Sequence, residues 1–247
     1  MQNGLPSIIM IHATNGIVLN HVRYGETSAV VHIYTEHFGQ QSYMVNGVRS
    51  TRNKGKSVLL QPLTLLSMQV YHKQGKEIQR IKEFEVALPF VSIPFDQTKR
   101  SIAFFITEMM RRSLREEEAN PSLFGFIEQS VRDLDAMPRS GNYHLTFLAG
   151  LTRYLGFYPD LSHYSPDHWF DLENGVFSGH LTPSPQSVPS DLCGLWVNVF
   201  EPDSNPSVPV NSEQRNRLAE YMIDFYALHL PGFGRVKSLD ILQGIYL

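Results

Sequence analysis

The sequence predicts an α+β protein in two parts. A five-stranded β-barrel of the OB type comes first, and an α-helical domain with an irregular, Pro-rich insertion follows. Three observations predict this. Five short alternating segments separated by turn residues fill the first ninety positions. After Pro94 the apolar period changes from two to that of a helix. The charge changes sign at the same place. Residues 1–90 hold nine Lys/Arg against five Asp/Glu, a balance of +4, whereas the rest of the chain sums to −7, so the overall −3 averages two unlike parts.

Composition bounds the remainder. A chain of 247 residues with 42% apolar and 18% charged positions can bury a core without staples and is not disordered. The single cysteine, Cys193, excludes an intramolecular disulfide framework and a thiolate zinc cluster. No apolar run approaches the roughly 20 residues that span a bilayer, and no basic-then-apolar leader opens the chain, so a cytoplasmic setting without a membrane is expected. Residues 1–9 read as an N-terminal extension, with Met10 a natural start.

Each element has its own signal. Residues 16–22 form the first strand, through Ile17, Val18 and Leu19. Residues 27–35 alternate around Ala29, Val31 and Ile33, and Phe38-Gly39-Gln40 is a turn. Residues 41–48 put Tyr43 and Val45 on one face. A short helical turn is expected over 56–61, then a strand over 62–72 with Leu66, Met68 and Val70 alternating. Gln74-Gly75-Lys76 is a hairpin turn into a fifth strand over 77–88, with Ile81 opposite in face to Arg80 and Lys82. An SH3-like barrel would give much the same pattern, so five strands alone leave that alternative open.

The first helix, capped by Asp96 and carrying Ile102, Phe105, Ile106, Met109 and Met110 on one face, is expected to run to about Glu118. A second opens at Pro121 and closes before Pro138; a third, through Leu145, Leu148, Thr152 and Leu155, ends at Gly156. Residues 157–211 are crowded with Pro and Ser and read as an irregular subdomain, apart from a hairpin at Asn174-Gly175. Ser212 is expected to cap a fourth helix through Leu218, Met222 and Phe225, and 238–246 form a short last one. The domains are thus 10–90, an OB-type barrel, and 91–247, a helical domain with 157–211 inside it.

Catalytic motifs are missing. There is no nucleophile elbow, no phosphate-binding Gly loop followed by Lys-Ser/Thr, and no dinucleotide fingerprint. Cys193 sits among Leu192, Leu195 and Trp196, which reads as a buried structural thiol. His163 and His168 near Asp160, Asp167 and Asp171 match no metal-ligand spacing. Glu116-Glu117-Glu118 reads as the solvated end of a helix. No catalytic residue, metal or cofactor is expected.

The strongest physical signal is Arg49-Ser50-Thr51-Arg52-Asn53-Lys54-Gly55-Lys56. Four cations without apolar anchors, in a loop between strands, suit phosphates. Arg23 in the first inter-strand loop, and Lys73, Lys76, Arg80 and Lys82 around the last hairpin, extend the patch. Tyr34 and Tyr43 lie on the strands that form the binding face of an OB barrel, where they can stack on bases or pack in the core.

The order of several short motifs resembles the bacterial RecO recombination-mediator family. These are Gly16-Ile17-Val18-Leu19, Arg23-Tyr24-Gly25-Glu26-Thr27, Tyr34-Thr35-Glu36 with Gly39, Gly47-Val48-Arg49 and Leu60-Gln61-Pro62-Leu63, followed by Gly150-Leu151 and the stretch from Arg153 to Leu161. The resemblance implies an OB-fold DNA-binding domain, a helical domain, and a non-enzymatic role in DNA repair and recombination. Relatives bind single- and double-stranded DNA and anneal complementary strands. With RecR they help RecA replace single-strand-binding protein, whose acidic, apolar C-terminal tail docks on the helical domain of some members. A nucleoid-associated location follows. Arg49, Arg52, Lys54 and Lys56 fall where the family has its basic loop. Many relatives carry two Cys-x-x-Cys pairs after the Leu-Gly-Phe-Tyr-Pro-Asp-Leu stretch. This chain has none there, so packing of Trp169, Phe170 and Phe177 replaces a zinc ion.

On the more acidic helical part, Arg111, Arg112, Arg115, Arg132 and Arg153 are candidates for the acidic tail. Three rival readings use the same residues: an RNA-binding OB module, a protein-interaction scaffold, and a metal-dependent hydrolase on the 160–171 cluster.

Overall fold

A computed structural model describes residues 10–48, 58–138, 141–179, 186–202 and 210–245. They fall into two compact units. Leu114–Asp133 groups with the chain up to Val91, and Ser92–Ser113 groups with the chain from Leu134 onward.

The first unit holds a closed barrel of strands β1 (Ile11–Tyr24), β2 (Ser28–Thr35), β3 (Gly39–Val45), β4 (Leu65–Tyr71) and β5 (Ile78–Leu88), in the order β1-β2-β3-β5-β4. Closure depends on β1 being long enough to serve two neighbours. Its first half pairs with β4, from Ile11 opposite Tyr71 to Ile17 opposite Leu65, and its second half pairs with β2, from Gly16 opposite Thr35 to Tyr24 opposite Ser28. A short parallel ladder, Ser42 to Ile78 through Met44 to Arg80, closes β3 on β5. This is the OB-type barrel expected from the sequence, with the expected residues inward. Val18, Val31, Ile33, Tyr43, Leu66, Met68 and Val70 fill its core. Leu63, buried and at φ 66°, holds an unfavourable left-handed backbone before β4 because its N–H donates to Val18 O at 2.8 Å. The expected helical turn before β4 is a single 3-10 turn, Val58–Leu60.

Helix α1 (Gln97–Ser113) is capped by Asp96, whose carboxylate accepts from Lys99 N at 3.0 Å, but it ends well short of Glu118. Arg115 and Glu116–118 are good helix formers, so local propensity does not stop the helix. Packing does. Glu116 O leaves the helix ladder to accept from Gln40 N at 3.0 Å on β3, and the backbone of Glu116 and Glu118 lies against Gly39. The acidic run is therefore an extended segment of the first unit docked on the barrel, although its side chains remain exposed as expected. Helix α2 (Pro121–Ala136) follows, with Asn120 as N-cap accepting from Leu123 N at 3.0 Å.

The second unit contains α1, α3 (Tyr143–Leu155), α4 (Ser190–Phe200), α5 (Ser212–His229), α6 (Ser238–Gly244) and a three-stranded sheet ordered β7-β6-β8, with β6 Trp169–Asp171, β7 Val176–Ser178 and β8 Ser187–Val188. Gly156 closes α3 in a left-handed cap as expected. Two expectations are corrected. Residues 157–211 are not merely irregular, because α4 and the small sheet lie within them; Phe170 packs against Phe177, Trp196 and Phe225 there. The cap of α5 is Asn211, which forms a reciprocal capping box with Gln214, while the Ser212 hydroxyl accepts from Arg215. A buried polar knot fixes the segment before α1: Asp135 accepts from Ser92 N and Ile93 N, both at 2.8 Å, and the buried Lys99 donates to Asp135 O at 2.8 Å.

Candidate nucleic-acid interface

Strand alternation on β5 sets the site. Gln79 and Ile81 turn inward, and Arg80 and Lys82 are exposed. The ladder between β4 and β5 slips at Lys82: Val70 pairs with Ile81 and Gln69 with Glu83, so Lys82 is the extra residue of a bulge, a position that re-aims a side chain. Two adjoining grooves lie along this strand. One, of about 270 Å³, is lined by Tyr71, Lys73, Lys76, Gln79 and Arg80. The other, of about 470 Å³, shares Tyr71 and Arg80 and continues past Lys82 to Val45 and Asn46 at the end of β3. Arg23 is exposed near the end of β1, in register with Ala29 and through it with Val45, and it is not among the residues lining either groove. The sign changes after Lys82: Glu83 already lines the second groove, and with Glu85 it lines a third of about 230 Å³ beside Ser67 and Gln69.

The structure thus brings Lys73, Lys76 and Arg80 together at one groove and puts Lys82 in its continuation. Arg49, Arg52, Lys54 and Lys56 lie outside the described residues. The two tyrosines are corrected as stacking platforms. Tyr43 is wholly buried in the barrel core, and burial pushes its phenol well above the ordinary value. Tyr34 is 3% exposed, stacks on Phe124 of α2 with ring centres 6.3 Å apart, and is pushed up to about 12 by burial. Neither ring faces solvent, because both belong to the packed side of their strands. The exposed aromatic of this region is Tyr24, next to Arg23.

The arginines proposed for an acidic tail belong to both units. Arg111, Arg112 and Arg153 belong to the second unit, Arg115 and Arg132 to the first. Arg112 pairs with Glu108 at 2.7 Å and donates to Phe233 O at 2.9 Å. Arg132 pairs with Glu128 at 2.6 Å. Arg153 lies over the Tyr158 ring, 4.3 Å from its centre. Arg111 is exposed on α1, two turns from the half-exposed Phe104 on the same face.

The remaining candidates are held by local contacts. Cys193 is buried, its Sγ lies 3.4 Å from Val188 O, and burial raises its thiol to about 11. Asp160 and Asp171 cap local turns, accepting from Ser162 N and from Glu173 N and Asn174 N. His168 bonds His163 O at 2.9 Å. Among the described residues no group of three or more His, Cys, Asp or Glu can hold a metal, and no helix is long and apolar enough to cross a membrane.

The residue that sequence reasoning missed is Gln79. Its amide is 2% exposed and bonds three backbone groups of the turn that carries Lys73 and Lys76. The signal was present: a polar amide occupies an inward position of a strand, where an apolar residue is the rule.

Two family models match this chain. Residues 10–90 match the model described as Recombination protein O N terminal, and residues 94–165 match Recombination protein O C terminal. The chain belongs to the RecO family of DNA repair proteins. It is 36% identical over 242 residues to the DNA repair protein RecO of Bacteroides fragilis, covering 96% of this chain and all of the relative. It is 36% identical over 245 residues to that of Phocaeicola vulgatus, with the same coverage, and 34% identical over 236 residues to that of Flavobacterium psychrophilum, covering 94% and 98%. In this RecO-family chain the cationic groove of Lys73, Lys76 and Arg80 lies on the N-terminal barrel.

Proposed function

We propose that this chain is a non-enzymatic recombination mediator. Its barrel binds the phosphates of single- and double-stranded DNA and anneals complementary strands, and with RecR it helps RecA replace single-strand-binding protein. One observation carries the reading: Lys73, Lys76 and Arg80 converge on one groove, with Lys82 in its continuation. Cations spaced along a track neutralise phosphates and release condensed counterions. Two strands lying close together repel each other through their phosphates, and shared cations lower that repulsion, which is what annealing requires. Such contacts carry no base code, so binding is indifferent to sequence. Arg49, Arg52, Lys54 and Lys56 extend the same chemistry, and the location that follows is cytoplasmic, at the nucleoid. For the acidic tail of single-strand-binding protein, the reading narrows to Arg111 beside Phe104, a cation and an exposed ring on one helix face.

The test pairs binding with annealing. Full-length protein is titrated against a fluorescent oligothymidine at low and moderate salt, and mixed with two complementary oligonucleotides. Lys73→Ala/Lys76→Ala/Arg80→Ala is expected to weaken binding and slow annealing in parallel. Full retention of both by the triple variant contradicts the assigned groove. Matched RNA competing better than DNA would instead favour the RNA-binding module.

A further inference from the structure

The DNA reading leaves unexplained why a buried amide sits beneath the cationic turn. We infer that Gln79 is a positioning residue that preorganises the Lys73–Lys76 turn for phosphate binding; the inference rests on that reading and deepens it.

Gln79 Oε1 accepts from Lys73 N at 3.0 Å. Its Nε2 donates to Lys73 O at 2.8 Å and to Lys76 O at 3.0 Å. Both amide protons and one carbonyl lone pair are used, and the asymmetry of the partners fixes which end is nitrogen. The turn also closes on itself, Lys76 N donating to Lys73 O at 3.2 Å, with Gly75 at φ 74° in the left-handed position such a turn demands. Lys73 O therefore accepts twice, once from within the turn and once from the strand beneath it.

A hairpin turn needs none of this. Its own hydrogen bond and its glycine set the reversal, and an apolar residue at position 79 would fill the inward site with less desolvation. What the amide adds is rigidity at the two residues whose side chains line the groove. An exposed turn with two lysines and a glycine would otherwise move, and ordering it upon each encounter would cost binding free energy. Clamped from below, both lysine stems leave the barrel from fixed points at the groove. Gln79 is itself 2% exposed, so its contribution runs through the turn and not through the nucleic acid.

The test is a double-mutant cycle on the full-length chain, read as affinity for an oligothymidine at fixed low salt with the melting temperature alongside. Gln79→Met keeps volume and removes all three bonds. It is expected to weaken binding about tenfold in the wild-type background, which is the ordering of one to two side chains. In the Lys73→Ala/Lys76→Ala background it is expected to change affinity less than twofold. Gly75→Val loosens the same turn from outside; a β-carbon there meets nothing within 4 Å, so it leaves the core untouched even if Gln79→Met does not fold. It is expected to show the same loss and the same dependence on the lysines. Equal losses in both backgrounds, from either variant, reveal a general structural effect and overturn the inference. So does a lysine pair that weakens binding while Gln79→Met and Gly75→Val do not. If the lysine pair itself binds as well as wild type, the DNA reading of the groove fails first, and the positioning role fails with it.

Discussion

Glu108 ties α1 to the start of α6. It pairs with Arg112 at 2.7 Å and accepts from Lys237 N, Ser238 N and the Ser238 hydroxyl, so one α1 side chain holds the start of α6. Burial works against its ionisation. The hydrogen bonds from Ser238, Arg112 and Lys237 outweigh that and hold the carboxyl down at about 2. A carboxyl depressed in the folded state contributes stability that is complete above its unfolded value near 4.3 and is lost as pH falls toward 2. Glu108→Gln is expected to cost about 1–2 kcal/mol at neutral pH after allowance for solvent screening, and to flatten the acid limb below pH 4.5; denaturant titration across that range checks both. His144 works in the opposite charge state. Full burial, and then the nearby Arg215, lower it to about 3, so it folds neutral. The unfolded chain takes up a proton below about pH 6.5, and stability falls as pH drops from there toward 3. Between pH 7 and 5 this single group is expected to remove about 2 kcal/mol, and His144→Phe to abolish that portion of the slope. An unchanged slope in the variant would assign the acid sensitivity elsewhere.

Among the elements, the segment after α1 shows where local reading stops. Arg115 and the three glutamates continue a helix by every propensity rule, yet Gln40 N and the bare face of Gly39 draw their backbone onto β3. Gly39→Ala places a β-carbon against Glu116 O and Glu118 O at a residue already in the left-handed region. The expected cost is about 2 kcal/mol or more, with faster hydrogen exchange at Gln40. The barrel strands were legible because their alternation is clean: Ala29, Val31 and Ile33, then Leu66, Met68 and Val70, all face the core as their spacing requires. Tyr34 and Tyr43 were ambiguous for the same reason, since a strand aromatic has the same period whether it packs or stacks, and here both pack. Helix α4 went unread because proline-rich flanks masked a helical apolar pattern, Leu192, Cys193, Trp196, Val199 and Phe200. Strand β5 carries its own prediction. Its outward charges run from Arg80 and Lys82 to Glu83 and Glu85. Glu83→Lys/Glu85→Lys lengthens the cationic track and is expected to tighten oligothymidine binding about three- to tenfold at low salt, by fluorescence anisotropy.

For the whole molecule, the charge is partitioned as the sequence displays it: a cationic groove lies on the closed barrel and the helical part is more acidic, and under the proposed function this is a partition of tasks. The cations of the last hairpin could be nominated from sequence, but the continuation of their groove past Lys82 to Val45 and Asn46 could not, because it depends on the parallel closure of β3 on β5 and on a bulge at Lys82. The clamp at Gln79 was invisible for a related reason: its partners are backbone atoms, which a sequence does not distinguish. The most direct test of the central claim is the salt dependence of single-stranded DNA binding by the full-length chain. The logarithm of affinity is measured against the logarithm of salt concentration for wild type and for Lys73→Ala/Lys76→Ala/Arg80→Ala. Three lost phosphate contacts make the slope shallower by about two. A slope identical to wild type would contradict the claim that this groove holds the phosphates.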